Sequence, residues 1–432
     1  MPLKILICGA GIAGNALAFW LSRPNPGGHN DSITVTERHP TLRATGLQVD
    51  LRGPGIQVLK RMGLEEAFRA KAVQEQGLRL VDGKGRGWGY FPANRSGKGL
   101  QSFTTDWEVM RGAFCRLLYD KCSGEQGVEY RFGVRVTEIK QQEGEGVEVV
   151  FSDGRRQTFD LVVGADGLGS RMRRMMYGFD EGDRAANPGY HSLGVYAAYG
   201  TIQQDMKEGE GYDATVLLAT GHRGIMVRRH DPHWYQAYVN CKSNSAEELK
   251  SSGTADIAEE KKVLARVFRG VGWESERILH GLVKSEDFYR ERIGVVKLDS
   301  WSRGRVVLVG DAAYCPSAMT GMGTTCGLVG AYILAGEIST ALAESGSQDI
   351  TAALKRYEQQ LRPFMDQVQK GLTDSDNYMD KFPSSRLGIA LAYCLFWICS
   401  LLRFDLLARW ILREDTKGWQ LPEYSKMDEA GN

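Results

Sequence analysis

Three things are scarce in this sequence, and each absence narrows what it does. The first is net charge: 54 Lys and Arg against 53 Asp and Glu leave a formal +1 at pH 7. That balance calls for neither a nucleic-acid partner nor an acidic surface. The second is metal or disulfide patterning. The eight cysteines (8, 115, 122, 241, 315, 326, 394 and 399) show no CxxC spacing and read as reduced thiols of a cytoplasmic protein. Of seven histidines only His230 and His233 have a metal-like spacing. Asp231 and Pro232 between them predict a polar turn joining two strands instead. The third is an apolar run of membrane-spanning length. Lys4 to Leu21 is interrupted by Gly9, Gly11 and Gly14, and no small-residue cleavage site follows, so it reads as folded structure rather than a leader. Leu387 to Leu402 is uncharged between Arg386 and Arg403, yet it falls short of the roughly 20 residues a spanning helix needs. A packed helix bridging two lobes is expected there, with a membrane-surface anchor over residues 387–412 as the alternative. Repeats, low-complexity tracts and a nucleophilic triad are also wanting.

What is present is ordinary in bulk and specific in detail. The 432 residues, 42% hydrophobic and 25% charged, allow two or three lobes with a substantial core. Leu3 to Cys8 is a buried-strand run followed at once by Gly9-Ala10-Gly11-Ile12-Ala13-Gly14, a helical pattern, and a second strand ending in Glu37. This is a dinucleotide fingerprint in its required context. Gly9 makes the tight turn, Gly11 admits a pyrophosphate, and Gly14 lets helix and strand pack. Glu37 follows Gly14 by 23 residues, where an acid favours an unphosphorylated ribose, as in FAD or NAD.

Two further strands end in acidic turns. Leu161-Val162-Val163 runs into Gly164-Ala165-Asp166, with Ser170 and Arg173 beyond; Val306 to Val309 runs into Gly310-Asp311. In a sheet whose ligand lies beyond the strand carboxyl ends, both turns border one cleft. A loop with Gly321 and Gly323 then leads into a long apolar helix, whose free N–H groups suit an anionic or electron-rich ligand. Thr104, Thr105 and Asp106 predict a cap for a helix carrying Arg111 in its second turn. Between about 180 and 287, alternating aromatic-rich segments predict a mainly antiparallel sheet, and Leu354 to Leu372 predicts a helix kinked or restarted at Pro363.

Taken together, these segments resemble the class A FAD-dependent monooxygenases, the single-component aromatic hydroxylases of p-hydroxybenzoate hydroxylase-like fold, over roughly residues 3–370. Gly46 to Leu64 and Gly310 to Ile333 are most similar to the tetracycline-degrading monooxygenases and related polyketide hydroxylases. The fold implied is α/β, with a Rossmann-like FAD-binding lobe (1–73, 101–180 and 288–352), an inserted mainly antiparallel β substrate lobe (74–100 and 181–287) and a C-terminal helical segment (353–432).

By the same resemblance Gly9, Gly11, Gly14, Glu37 and the adjoining Arg38 hold the ADP half of FAD, and Arg111 reaches its ribose and phosphates. Asp166, with Ser170 and Arg173, serves both FAD and the nicotinamide cofactor. Asp311 binds the ribityl chain, and Gly321, Gly323 and Thr324 offer N–H groups to the flavin's pyrimidine edge. NADPH or NADH and O2 are implied as co-substrates, with an oxygen atom passing from a flavin C4a-hydroperoxide to a large polycyclic aromatic or polyketide, tetracycline-like substrate. Met226, Arg228 and Tyr238 on strands, and Ala318 and Met319 in the loop, are the candidate substrate-lining residues.

Tyr314, Ala318, Thr325 and Gly330 stand where the family usually has His, Pro, Asn and Asp. Two alternatives stay open: a membrane-associated epoxidase or reductase on the same fold, and a flavoprotein that sequesters a reactive intermediate without turnover.

Overall fold

The computed structural model describes residues 2–23, 31–43, 46–93, 106–142, 146–179, 187–242, 257–345, 350–373, 378–402, 418–424 and 427. Thr104 and Thr105, and segment 403–412 of the expected anchor, lie outside them.

The short apolar runs become a six-stranded sheet because each strand is buried on both faces. Its order is Ser302–Arg303, Val306–Leu308, Leu161–Gly164, Lys4–Cys8, Ser32–Glu37 and Val128–Phe132. All neighbours run parallel except the first pair. Cys8 pairs with both Gly164 and Thr36, and Gly164 pairs with Leu308. Four strands therefore end at one level, and the turns that follow them share one edge. The helix Ile12–Leu21 packs on Gly323–Ser345. The latter is long and apolar enough to cross a membrane, but it is mostly buried at the centre of the core.

A seven-stranded sheet forms the second layer system: Tyr289–Val296, Tyr190–Gln203, Trp234–Lys242, Arg223–Asp231, Asp213–Ala219, Gly77–Val81 and Gly87–Pro92. Every pairing is antiparallel except Asp213–Ala219 with Gly77–Val81. Asp231, Pro232 and His233 form the turn between two of these strands, as the sequence predicts. One face packs on the helices Ile257–Val267 and Ser275–Lys284 through Tyr196, Ile225, Val239, Leu264 and Leu282. The expected boundary at 287/288 falls just ahead of Tyr289–Val296. That strand is hydrogen-bonded into the β lobe, while its end touches the flavin-side loop through Val296 N–H to Cys315 O at 3.0 Å, so it couples the lobes.

Three local expectations change. The helix carrying Arg111 starts at Arg111, because Glu108–Met110 is drawn into a strand pair with Gln48–Asp50. Ile350–Gln369 is one helix through Pro363, its core face of Tyr357, Leu361, Phe364 and Val368 fully buried. The C-terminal helix Arg386–Leu401 does not bridge the lobes. Its Ile389, Tyr393 and Phe396 lie on Leu78, Leu80 and Leu218 of the β lobe. Tyr393 Oη accepts from Leu218 N–H at 2.9 Å and donates to Val81 O at 2.7 Å, pinning the helix across two strands. The chain then returns to the other lobe, where Tyr424 Oη donates to Glu337 at 2.8 Å.

Two of the unusual residues turn out to be one packing solution. Tyr314 is fully buried, and its hydroxyl accepts from Tyr357 Oη at 3.1 Å. A Cβ on Gly330 would lie 1.7 Å from that hydroxyl, so Tyr314 fills the space a side chain at 330 would need. Gly330→Ala should cost about 1–3 kcal/mol of stability by overpacking. Adding Tyr314→Phe, which removes the clashing oxygen, should recover part of the lost melting temperature; a purely additive double variant would contradict the pairing.

Candidate active site

The three glycines of the first turn are there for different steric reasons. Gly9 has φ +116°, and a Cβ on it would lie 2.5 Å from Ala165 O; one on Gly14 would lie 1.9 Å from Gly9 O. Those two positions are closed by backbone. A Cβ on Gly11 would meet nothing within 4 Å; this position borders free space. The Ile12–Leu21 helix has no side-chain cap and no acid in its first turn, which leaves its N–H groups to an anionic ligand.

Glu37 closes this edge. Its carboxylate accepts from Ala10 N–H at 3.2 Å and His39 N–H at 2.9 Å, which fixes it against the turn; Arg38 beside it is exposed. Asn15 was not singled out from the sequence, yet it secures the same turn. Fully buried, it donates from Nδ2 to Ala10 O at 2.8 Å and accepts from Tyr130 Oη at 2.7 Å. Helical spacing alone gives such a residue no signal.

The two acidic turns have different occupations. Asp166 accepts from Ser170 Oγ at 2.5 Å and from the N–H groups of Arg171 and Met172 at 2.7 and 3.0 Å. It caps the short Arg171–Met176 helix and shapes its own turn. Arg173 is fully buried and donates to Ala312 O at 2.8 Å and Leu168 O at 2.6 Å, tying the Asp166 turn to the Asp311 turn. Asp311 stands at the start of Asp311–Tyr314. Burial pushes its carboxyl above the usual range, and the nearby Arg111 guanidinium opposes that shift. Arg111 itself is exposed to the cleft, with its backbone N–H on Leu47 O at 2.9 Å.

The loop after Asp311 is held from behind. Gln369 Nε2 lies within 2.9–3.1 Å of the carbonyls of Val296, Tyr314 and Cys315. Ser317 has φ 73°, ψ 143° while buried, a strained conformation usually left to glycine. Gly321 is left-handed at φ 65°, and Gly323 begins the core helix with Thr324 half-buried beside it. Thr325 Oγ1 accepts from Arg52 N–H at 2.9 Å and donates to Arg52 O at 3.1 Å, a stitch that explains a hydroxyl where an amide is usual.

The strand candidates separate in role. Tyr238, Met226 and Val216 form one row across three strands, on the face opposite the helix-covered side. Tyr238 and Met226 are half-buried, and Ala318 and Met319 are exposed on the loop. Arg228, by contrast, is enclosed in an ion-pair network: Nε donates to Glu75 at 2.7 Å, and Nη2 reaches both Glu75 and Glu108. Gln48 donates from Nε2 to the same two carboxylates, and its backbone N–H donates to Gln236 Oε1 at 2.9 Å. Arg228 thus clamps the β lobe to the short strand pair beside the cleft, and its guanidinium is committed there.

FAD fits this arrangement. The cradle open at Gly11, the uncapped helix and Glu37 suit an ADP group, and Asp311 with Arg111 nearby suits a polyol chain. The Gly321 N–H, expected at a flavin edge, is instead spent on Ala318 O at 3.3 Å, which leaves the start of the core helix at Gly323 and Thr324 for that edge. Gly11→Ala should leave the melting temperature of the apoprotein essentially unchanged yet abolish the yellow colour of the purified protein. Gly14→Ala should fail to fold. Retained flavin in Gly11→Ala would show that the cofactor lies elsewhere.

Known proteins agree with the geometry. The FAD binding domain family matches residues 2–371. FAD-dependent monooxygenase asL4 of Sarocladium schorii is 42% identical, with 99% of each chain covered. Flavin-dependent monooxygenase eupH of a Phoma species is 39% identical over 90% of this chain and 89% of that protein. Among solved structures, tetracycline destructase Tet(55) superposes with a TM-score of 0.74 at 29% identity, covering 98% of this chain and 99% of the other. Tet(51) gives 0.72 at 30%, covering 98% and 100%. With a fingerprint, two acidic turns and a glycine loop along one sheet edge, and with a family match over residues 2–371 and relatives matched over nearly the whole length, the chain belongs to the FAD-binding-domain family of class A flavin monooxygenases and is an FAD-dependent oxidoreductase.

Proposed function

We propose that the protein uses NADPH or NADH and O2 to hydroxylate a large, electron-rich polycyclic or polyketide substrate, tetracycline-like in size. FAD, when bound, supplies the hydride acceptance and the oxygen activation. The protein's own residues bind, orient and exclude water. Gly9, Gly11, Gly14, Glu37 and Arg111 hold the nucleotide half, Asp311 the polyol chain, and Gly323 with Thr324 at the start of the core helix present N–H groups where negative charge develops on reduction.

One observation carries the reading of substrate size. The face of the seven-stranded sheet opposite the two covering helices holds Val216, Met226 and Tyr238 in a row, and the C-terminal helix packs on Leu218 of the same face. A broad, mostly apolar surface with a few hydroxyls suits a flat fused-ring molecule. The tetracycline destructases named above supply independent support from relatives.

The test is NADPH oxidation by the yellow protein in air, with and without a panel of tetracyclines and anthraquinones. One ligand should raise the rate sharply and emerge heavier by one oxygen atom. A rate indifferent to every ligand would contradict the reading.

A specific feature favours a membrane-surface location in addition. Leu387, Leu391, Leu395, Ile398 and Leu402 form a stripe on the outward side of the C-terminal helix, each 46–72% exposed. Arg386 precedes the stripe and Arg403 follows it, flanks suited to anionic lipid headgroups. The full chain should sediment with phosphatidylcholine–phosphatidylserine vesicles, and Leu391→Ser with Leu395→Ser should release it. Equal sedimentation of both proteins would remove this reading.

A further inference from the structure

Glu291 has none of the roles assigned so far, yet Asp311 and Arg111 of the proposed cofactor edge are its charged neighbours. It lies opposite Ala197 on the Tyr289–Val296 strand, in the same face of the sheet as Tyr199, Tyr289 and Tyr238. One carboxylate oxygen accepts from Tyr199 Oη at 3.0 Å, and the other receives Tyr289 Oη at 3.5 Å. Tyr199 stands edge-on to Tyr238, with ring centroids 5.6 Å apart, which joins this group to the row proposed to face the substrate.

The charged neighbours come from several elements. Asp311 approaches from its turn and disfavours a negative charge on Glu291, Arg111 approaches from its helix and favours it, and burial is the largest influence, raising the carboxyl's pKa. Arg43 lies over the Tyr289 ring, 5.6 Å from its centroid. A half-buried acid facing another acid is costly, and an apolar residue of like volume would fill the position at lower cost. What Glu291 alone provides is direction. A tyrosine hydroxyl has one proton to donate, and here both are turned to the carboxylate. The two oxygens are left with lone pairs only, so toward the cleft they act as acceptors.

We propose that Glu291 determines substrate specificity by fixing Tyr199 and Tyr289 as a paired hydrogen-bond acceptor for a free hydroxyl of the substrate, a phenol or enol in preference to its ether. The inference rests on the substrate face described under the proposed function, and it concerns recognition, not turnover.

The experiment is a titration of the FAD-loaded protein with 2-hydroxyanthraquinone and with 2-methoxyanthraquinone, read by perturbation of the flavin absorbance. Wild type should bind the hydroxyl compound about tenfold more tightly, the scale of one to two net hydrogen bonds. Glu291→Gln, whose amide can donate to a tyrosine oxygen, should bring the ratio close to one at unchanged melting temperature. Should that variant not fold, Tyr199→Phe reads the same ratio. A general loss of structure lowers both affinities together and leaves the ratio standing, so the ratio isolates the acceptor role. A ratio unchanged in the variants, no preference in wild type, or no binding of either compound overturns the proposal. Selective binding without NAD(P)H-dependent oxygenation would keep the acceptor pair and remove the oxygenase reading instead.

Discussion

The structure depends on the register of parallel strands in the six-stranded sheet. Thr36, Cys8, Gly164 and Leu308 stand side by side, so the segments after them must turn away within a few ångströms of one another. Ala165 N–H bonds Cys8 O at 2.8 Å and Val309 N–H bonds Gly164 O at 2.9 Å, carrying the ladder to the rim. That crowding excludes a side chain at Gly9 and Gly14 and puts Glu37, Asp166 and Asp311 on one edge. A one-residue slip of any strand would turn its apolar residues and its acidic turn to the wrong place.

On this rim the protein divides labour between acids that look alike in sequence. Asp166 is spent on a helix cap, and Arg173 ties its turn to that of Asp311. Asp311 faces the cleft as a buried carboxyl balanced by Arg111. The β lobe is held to this frame from two sides. The Arg228–Glu75–Glu108 cluster is one clamp, and the Tyr289–Val296 strand with Gln369 is the other. Breaking a buried ion pair by removing one partner is far more costly than replacing the whole pair, so such clamps keep two lobes in fixed relation across a site that must exclude water.

Much of this was legible in the sequence because it rests on local rules. The run–glycine–helix–run–acid order before Glu37, the buried runs ending at Gly164 and Val309, and the alternating segments of the β lobe follow from steric need and periodicity, and the fold agrees with them. What the sequence hid depends on distant partners. Thr104 to Asp106 resemble a helix cap, but Glu108–Met110 finds Gln48–Asp50 and delays the helix to Arg111. Arg228 sits in an alternating strand as a lining residue would, and only the fold brings two carboxylates to it. Tyr314 and Gly330 look like two separate departures from a family pattern; in three dimensions the hydroxyl of one occupies the place of the other's side chain. Glu291 is one charge among several on its strand, unremarked until Tyr199 and Tyr289 point to it.

The proposed function makes this rim and the tyrosine-bearing face of the seven-stranded sheet one oxygenating site. The most direct measurement is turnover of a responsive polycyclic ligand under isotopically labelled dioxygen, with mass analysis of the product. A monooxygenase should place one labelled oxygen atom in each product molecule, take none from labelled water, and lose the labelling when NAD(P)H is withheld. Product oxygen drawn from water, or nicotinamide oxidation that yields no oxygenated product with any ligand, would contradict it.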